Sequence, residues 1–286
     1  MKKLLLLTLT LSFILIGSVG CVKRDSMEDI SIITSSYPIE YLVNEMYGEH
    51  AEVENIFPDG EEIGSYRFNE KQFNNFSKED LFIYNGENAS DIALKLINKN
   101  DNLLLIDSSL GMKYTYGVEE FWLDPSNLLM MSLNIKNGLE EYISNTVLIK
   151  EINDSYQDLN VSLSELDADI KHAVSQANNP KIVVSNKSLV FLEKYGMEVI
   201  VLDNDTIDKT YEEVKELIRT GEIKYIYNFK EDVFSDKLNS LIKSTGVKTN
   251  TLFRLDSITD EQRNNDEDYI SIMKDNLELL QQEIYE

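Results

Sequence analysis

The chain has 286 residues, of which 51 are acidic and 27 basic, so its formal charge at pH 7 is −24. This charge argues against nucleic acid as a partner, because the phosphates would be repelled. Hydrophobic residues make up 42% of the chain and aromatic residues 9%, as in globular proteins with a buried core. By usual domain sizes, the roughly 265 residues that follow Cys21 predict two lobes of about 130 residues each.

The first twenty residues have the three parts of a secretory signal. Lys2 and Lys3 are followed by an apolar run at 4–16 and by small residues at 17–20. The run is too short for a membrane-spanning helix, which takes about 20 apolar residues. The sequence therefore predicts export from the cell.

Cys21 is the only cysteine of the chain, and cleavage after residue 20 would make it the N-terminus. Residues 18–21 resemble the lipobox of bacterial lipoproteins, although Ser18 stands where leucine is usual. We therefore expect a signal peptide at 1–20, and a lipid on Cys21 that holds the protein on the extracytoplasmic face of the cell membrane. The alternative is a secreted protein with an unpaired thiol.

Short β-rich runs alternate with helical patterns in the first half of the chain. A β-rich run at 31–36 precedes apolar residues at helical spacing between 39 and 46. Residues 80–84 then predict a strand, 88–97 a helix and 103–106 a strand. This alternation predicts a parallel sheet in an α/β fold.

The second half repeats the alternation. Strands are predicted at 181–185, 199–202 and 224–229, and helices at 189–195, 211–219 and 236–244. An amphipathic pattern at 269–284 predicts a closing helix. The chain is thus expected to contain a second α/β lobe.

Residues 139–177 contain no proline, and leucines at 159, 163 and 166 recur at helical spacing. A helix of about 25 residues would be nearly 40 Å long, enough to span two lobes. The alternative is two helices separated near Asn153 and Asp154. The predicted organisation is a tether at 21–30, an N-terminal lobe at 31–145, a linking helix at 146–179 and a C-terminal lobe at 180–286.

Several short motifs occur in order along both halves. They include TSSYP at 34–38, FPDG at 57–60, DLFIYNG at 80–86, FWLDP at 121–125 and YISIMKDNL at 269–277. In this order they resemble the metal-specific solute-binding lipoproteins of bacterial ABC importers for zinc and manganese. The resemblance implies two α/β lobes joined by one long helix, with a ligand cleft between the lobes. It also implies permease and ATPase partners and a monomeric binding protein.

Members of that family hold one divalent cation with three histidines and one carboxylate, a set that suits zinc or manganese. The histidine positions fall here on Gly64, Glu120 and Asn186, and the acidic position falls on Asn228 or Glu231. The spacing does not decide between the last two. The two histidines of the chain, His50 and His172, lie outside these motifs and are not expected to be ligands.

An oxygen-only metal site is one interpretation of this cleft. Glu120, Asn186, Glu231 and Glu62 would supply carboxylate and amide oxygens, which favour Mn²⁺ or Ca²⁺ over Zn²⁺. The competing interpretation makes Glu120 a carboxylate at the cleft edge and Asn186 a helix cap. One divalent ion (Mn²⁺, Zn²⁺ or Ca²⁺) is the cofactor that the resemblance implies.

A different solute is the second interpretation. Gly64, Tyr66 and Asn228 would line the cleft, and the aromatic residues Tyr66, Phe68, Phe121 and Trp122 would favour a small organic ligand or a chelated metal. A third interpretation is a protein that binds no metal and acts as an adhesin. An enzyme is not expected, because two histidines and a lipidated cysteine leave no catalytic Ser-His-Asp or Cys-His set, and no glycine-rich phosphate loop is present.

Overall fold

A computed structural model describes residues 26–61 and 63–285. The predicted signal peptide, Cys21 and Glu62 lie outside the described residues. Among the residues described, no helix is both long and apolar enough to cross a membrane.

Two parallel four-stranded sheets form the frame of the two lobes. The N-terminal sheet has the order β2-β1-β3-β4 and the C-terminal sheet the order β6-β5-β7-β8. The strands are β1 (Ile30–Thr34), β2 (Ala51–Asn55), β3 (Leu81–Tyr84), β4 (Leu104–Asp107), β5 (Lys181–Val184), β6 (Glu198–Val201), β7 (Tyr225–Phe229) and β8 (Lys248–Leu252). The predicted α/β class with two mainly parallel sheets is confirmed.

Helices connect the strands and cover the sheets. In the first half they are α1 (Tyr37–Tyr47), α2 (Glu70–Phe76), α3 (Gly86–Ile97), α4 (Glu120–Leu123), α5 (Pro125–Tyr142) and α6 (Thr146–Ser175). In the second half they are a 3₁₀ helix (Lys187–Tyr195), α7 (Asp208–Thr220), α8 (Asp236–Thr245), α9 (Asp260–Asn264) and α10 (Tyr269–Ile284).

The central strands are apolar because both faces of each sheet are covered. Leu81, Phe82 and Ile83 of β3 are fully buried, as expected for a parallel sheet packed between helices. In the edge strand β2, Glu52 and Glu54 are exposed and alternate with half-buried residues. Charged side chains on an edge strand discourage pairing with another chain.

The segment predicted as a helix at 189–195 is a 3₁₀ helix. It begins after Asn186, whose side chain accepts a hydrogen bond from the Ser188 N–H, and ends at Gly196 with φ of +103°. A 3₁₀ helix rises about 2.0 Å per residue against 1.5 Å in an α-helix, so it covers more distance between β5 and β6.

The linking helix α6 runs without a break through Asn153 and Asp154, so the two-helix alternative is wrong. Its 30 residues extend about 45 Å at 1.5 Å per residue. It packs against α1 of the N-terminal lobe and α10 of the C-terminal lobe. Its buried face, which includes Leu159, Leu163 and Leu166, belongs to one hydrophobic core that continues into both lobes.

Leu163→Ala tests the dependence of both lobes on this core. Leu163 is 1% exposed, so removing its side chain should lower the free energy of unfolding by about 2–5 kcal/mol. Val161 lies on the same helix but is 57% exposed, so Val161→Ala should change it by no more than about 0.5 kcal/mol. Urea unfolding followed by circular dichroism measures both. Equal effects of the two substitutions would contradict the packing described.

Candidate functional site

A cleft of about 570 Å³ lies where elements of both halves of the chain meet. It is lined by residues that follow β2, by α3, by the beginning of α4 and by residues that follow β8. In open parallel sheets, ligands bind outside the carboxyl ends of the strands, and two of these segments leave strands there. Gly64 and Tyr66 line the cleft, whereas Asn228 is not among its lining residues.

Aromatic side chains form one wall of the cleft. The Tyr66 ring lies 5.8 Å from the Phe57 ring and 5.0 Å from the Phe68 ring, both in edge-on geometry. The Tyr66 hydroxyl accepts a hydrogen bond of 2.9 Å from Nε2 of Gln72. The wall is therefore held by ring packing and by one side-chain hydrogen bond.

Trp122 and Phe121 are both buried. The indole Nε1 of Trp122 donates a hydrogen bond of 2.8 Å to the backbone oxygen of Arg254. This bond joins the start of α4 to the segment after β8. Trp122 thus lines the cleft and also fixes the backbone that carries Arg254.

Arg254 is a positively charged residue of the cleft, and three carboxylates lie near its guanidinium group. Its Nη2 donates a hydrogen bond of 2.7 Å to Oδ2 of Asp256, and its Nε lies 3.9 Å from Oε2 of Glu231. The Arg254 side chain is only 14% exposed. The carboxylate of Glu119 contributes a third negative charge and also accepts a hydrogen bond of 2.8 Å from the Ser188 hydroxyl.

These charges act on the ionisation of Arg254. Burial opposes the charged form, but the hydrogen bond to Asp256 and the charges of Asp256, Glu231 and Glu119 raise the guanidinium pKa above its usual value. Arg254 therefore remains a cation at every physiological pH.

Glu120 is buried, and its carboxylate is hydrogen-bonded to the backbone of the preceding loop. It accepts hydrogen bonds from the N–H groups of Thr115, Tyr116 and Gly117. This arrangement holds the loop before α4 in place. Glu120 is not among the residues that line the cleft.

Asn186 caps the 3₁₀ helix, and its amide also donates a hydrogen bond of 3.0 Å to Oδ1 of Asp232. Oδ2 of Asp232 accepts hydrogen bonds from the Ser185 hydroxyl at 2.6 Å and from the Phe229 N–H at 2.9 Å. Asp232 therefore links the carboxyl ends of β5 and β7 through hydrogen bonds. The neighbouring Glu231 is the predicted ligand that lies beside Arg254.

Asn228 is buried at the end of β7. Its Nδ2 donates hydrogen bonds to the Phe229 backbone oxygen at 2.8 Å and to the Thr251 hydroxyl at 3.3 Å. Its Oδ1 has no hydrogen-bond partner among the described residues. Asn228 thus contributes to the contact between β7 and β8.

Within residues 26–61 and 63–285, no group of three or more His, Cys, Asp or Glu side chains is arranged to hold a metal ion. Glu62 lies outside that range, so the oxygen-only ligand set stays a prediction. Nε2 of His50 lies 3.1 Å from Oε2 of Glu151, and His172 is exposed on α6. Neither histidine lines the cleft.

The sequence profile of the family described as zinc-uptake complex component A, periplasmic (ZnuA), matches residues 32–283. The chain belongs to this family. The predicted resemblance is confirmed, and so is the expectation that the protein is not an enzyme, because the family comprises binding components of uptake complexes.

Curated relatives of the chain include one zinc-binding lipoprotein and one protein of a zinc uptake system. The zinc-binding lipoprotein AdcA of Streptococcus pneumoniae is 26% identical over 99% of this chain, and the match covers 61% of AdcA. The chain thus spans less than two thirds of the length of AdcA. The high-affinity zinc uptake system protein ZnuA of Bacillus subtilis is 22% identical, over 90% of this chain and 88% of that protein.

Solved structures show the same fold. The Zn(II)-bound ZnuA-like domain of S. pneumoniae AdcA superposes with a TM-score of 0.73 at 24% identity, covering 90% of this chain and all of that domain. The metal-dependent lipoprotein YcdH of B. subtilis superposes with a TM-score of 0.74 at 19% identity, covering 90% of this chain and 99% of that one. At these identities the likeness supports the two-lobed fold alone.

The sequence reasoning missed six charged residues that line the cleft: Arg67, Asp91, Lys95, Glu119, Arg254 and Asp256. Arg254 and Asp256 follow β8, whose sequence KTNTL is largely exposed and was not predicted as a strand. Their position in the sequence could have revealed Arg254 and Asp256, because charged residues directly after a strand of a parallel sheet lie at its carboxyl edge.

Glu120→Gln tests whether this side chain serves the fold. Gln presents an N–H₂ group to backbone N–H donors and loses the charge, so we expect a loss of about 1–3 kcal/mol in the free energy of unfolding. Glu165→Gln, on an exposed position of α6, is the matched control and should have almost no effect. Unchanged stability with lost metal binding would instead identify Glu120 as a ligand.

Proposed function

We propose that this chain is the extracytoplasmic substrate-binding lipoprotein of an ABC importer, and that it captures a divalent metal ion in the cleft between its lobes. The family match over residues 32–283 carries this proposal. The names of two relatives, the zinc-binding lipoprotein AdcA and the zinc uptake system protein ZnuA, support a metal as the cargo. The partners would be a permease and an ATPase, and the binding protein would act as a monomer.

The chemistry of the cleft favours oxygen ligands. Among the described residues, the carboxylates that line the cleft are Asp91, Glu119 and Asp256, and no cysteine or histidine lines it. Glu231 lies outside this lining, 3.9 Å from Nε of Arg254. Carboxylate oxygens bind hard cations such as Mn²⁺ and Ca²⁺ in preference to Zn²⁺. We therefore retain Glu231 and Glu62 as proposed ligands, and add Asp256. Glu120 and Asn186 would support the site through the contacts described above.

A small organic solute is the second candidate cargo. The volume of the cleft, about 570 Å³, lies in the range of pockets for organic ligands and is far larger than one ion requires. The rings of Phe57, Tyr66 and Phe68 would contact such a solute. A metal carried in a small chelator would use both the carboxylates and this aromatic wall.

An adhesin function has weaker support. Two of the similar structures are described as laminin-binding proteins of Streptococcus pyogenes and Streptococcus agalactiae. Both are 18% identical to this chain, so the likeness concerns the fold.

Isothermal titration of the purified chain with MnCl₂, CaCl₂ and ZnCl₂ tests the cargo. We expect saturable binding of one ion per chain, with Mn²⁺ or Ca²⁺ bound more tightly than Zn²⁺ because the ligands are oxygens. Glu231→Gln should weaken this binding, and Glu165→Gln should leave it unchanged. If none of the three ions binds, the metal proposal fails. Native mass spectrometry of the protein as purified would then show whether an organic solute is retained.

The membrane anchor has its own test. Cys21→Ala removes the thiol that would be acylated, so we expect the protein to move from the membrane fraction to the soluble extracytoplasmic fraction. Globomycin, which inhibits lipoprotein signal cleavage, should leave the unprocessed precursor. Unchanged membrane attachment and processing after both treatments would contradict lipidation of Cys21.

A further inference from the structure

Three cationic side chains from three separate segments of the chain line the cleft. They are Arg67, which follows β2, Lys95 on α3, and Arg254, which follows β8. The whole chain has 51 acidic and only 27 basic residues, whereas the two kinds are equal in number in the described lining. The cleft is therefore more positive than the composition of the chain would lead us to expect.

Only one of these cations is compensated by carboxylates in direct contact. The three carboxylates described above act on the guanidinium of Arg254 and hold it as a cation. Among the described residues, Arg67, Lys95 and Asp91 form no ion pair, although Asp91 lies one turn before Lys95 on α3. These three side chains together carry a net positive charge, which would attract an anion into the cleft.

The guanidinium of Arg67 is positioned by the backbone of its own loop. Its Nη1 donates hydrogen bonds to the backbone oxygens of Gly64 at 3.0 Å and Tyr66 at 2.9 Å. Its Nε and Nη2 have no hydrogen-bond partner within the part of the chain that the structure describes. Adjacent N–H groups of a guanidinium form a planar pair that matches the two oxygens of a carboxylate. This edge of Arg67 is therefore suited to bind a carboxylate.

Lys95 lies beside the aromatic wall of the cleft. Its Nζ is 5.1 Å from the centroid of the Phe73 ring, and the Phe73 ring is 5.7 Å from the Phe68 ring. Phe68 in turn packs against Tyr66, which directly precedes Arg67 in the chain. The two cations without an ion pair and the aromatic rings thus belong to one continuous surface. A ligand that carries both a carboxylate and an apolar ring would contact both parts of it.

The size of the cleft and the range of its charges fit such a ligand. A volume of about 570 Å³ is typical of pockets for small organic ligands. The net charge of −24 repels anions at a distance, but physiological salt screens this repulsion beyond about 8 Å. The charges in the lining therefore have more influence on an anion in the cleft than the charges on the remote surface.

We propose that the cleft binds a small organic carboxylate with an aromatic or apolar body. The Arg67 guanidinium and the Lys95 ammonium bind the carboxylate, and the rings of Tyr66 and Phe68 contact the body. This inference rests on the proposed role as a substrate-binding protein, and it assigns a chemical class to the second candidate cargo, the small organic solute.

Trp122 gives a direct measurement of occupancy, because it lines the cleft and is the only tryptophan of the chain. We expect titration of the purified chain with phenylacetate to change the tryptophan fluorescence to saturation. Phenylacetamide has nearly the same shape without the charge, and acetate has the carboxylate without the ring. Each should bind at least about tenfold more weakly than phenylacetate, because each lacks one of the two kinds of contact.

Arg67→Gln and Lys95→Gln each remove one proposed contact with the carboxylate. Both side chains are exposed, so the melting temperature should change little. We expect each substitution to weaken phenylacetate binding about tenfold and to leave phenylacetamide binding unchanged. Lys99→Gln is the matched control, because Lys99 lies close to Lys95 in the chain, pairs with Glu70 and does not line the cleft. Equal effects on both ligands would contradict a contact with the carboxylate.

The two proposals fail in different ways. If phenylacetate does not bind, or binds no more tightly than phenylacetamide, the carboxylate assignment is wrong. Saturable binding of MnCl₂ by the same protein would then leave the substrate-binding function standing with a metal as its cargo. If neither phenylacetate nor any of the three metal ions binds, and native mass spectrometry shows no retained solute, the substrate-binding function fails as well.

Discussion

The continuous hydrophobic core along α6 is the constraint on which the rest of the structure depends. Its buried leucines pack against α1 on one side of the molecule and α10 on the other, so the two sheets share one core. A helix of 30 residues bends only at a cost in its hydrogen bonds and packing. The walls of the cleft therefore face each other because one rigid element sets their separation.

A second connection between the halves passes through the residues after β8. The Asp256 backbone oxygen is bound by the Tyr37 N–H, and the Gly60 N–H donates to the Ile258 backbone oxygen at 2.8 Å. Arg263 on α9 also pairs with the buried Glu40 of α1 and with Asp59. Arg254 thus lies directly before a segment that is held against the N-terminal lobe.

Much of the fold was predictable because its strands and linking helix carry strong local patterns. The continuous apolar run of β3 indicates a buried strand, and the helical spacing of the leucines of α6 indicates an amphipathic helix. The edge strand β8 does not, since most of its side chains are polar and exposed and its pairing with β7 supplies the missing stability. Without β8, nothing in the sequence places Arg254 and Asp256 at the carboxyl edge of a sheet.

The candidate site was predictable only in outline. Gly64 and Tyr66, which the motif positions single out, are among the residues that line the cleft. The contacts of Glu120 could not be anticipated, because its partners are backbone N–H groups that converge only once the preceding loop has folded. The same is true of Asn186, whose amide reaches Asp232 across the sheet, 46 positions along the chain.

For the function proposed above, the shared core has a consequence for how a permease would recognise the loaded protein. Lobes that are joined by one packed helix cannot separate widely, so the outer surface presented to a permease changes little when cargo arrives. The signal of occupancy would have to be a small one, such as a change in the positions of the side chains that line the cleft. Discrimination between full and empty protein would then depend on local charge and side-chain position at the cleft mouth, and the permease surface would have to be shaped to detect it.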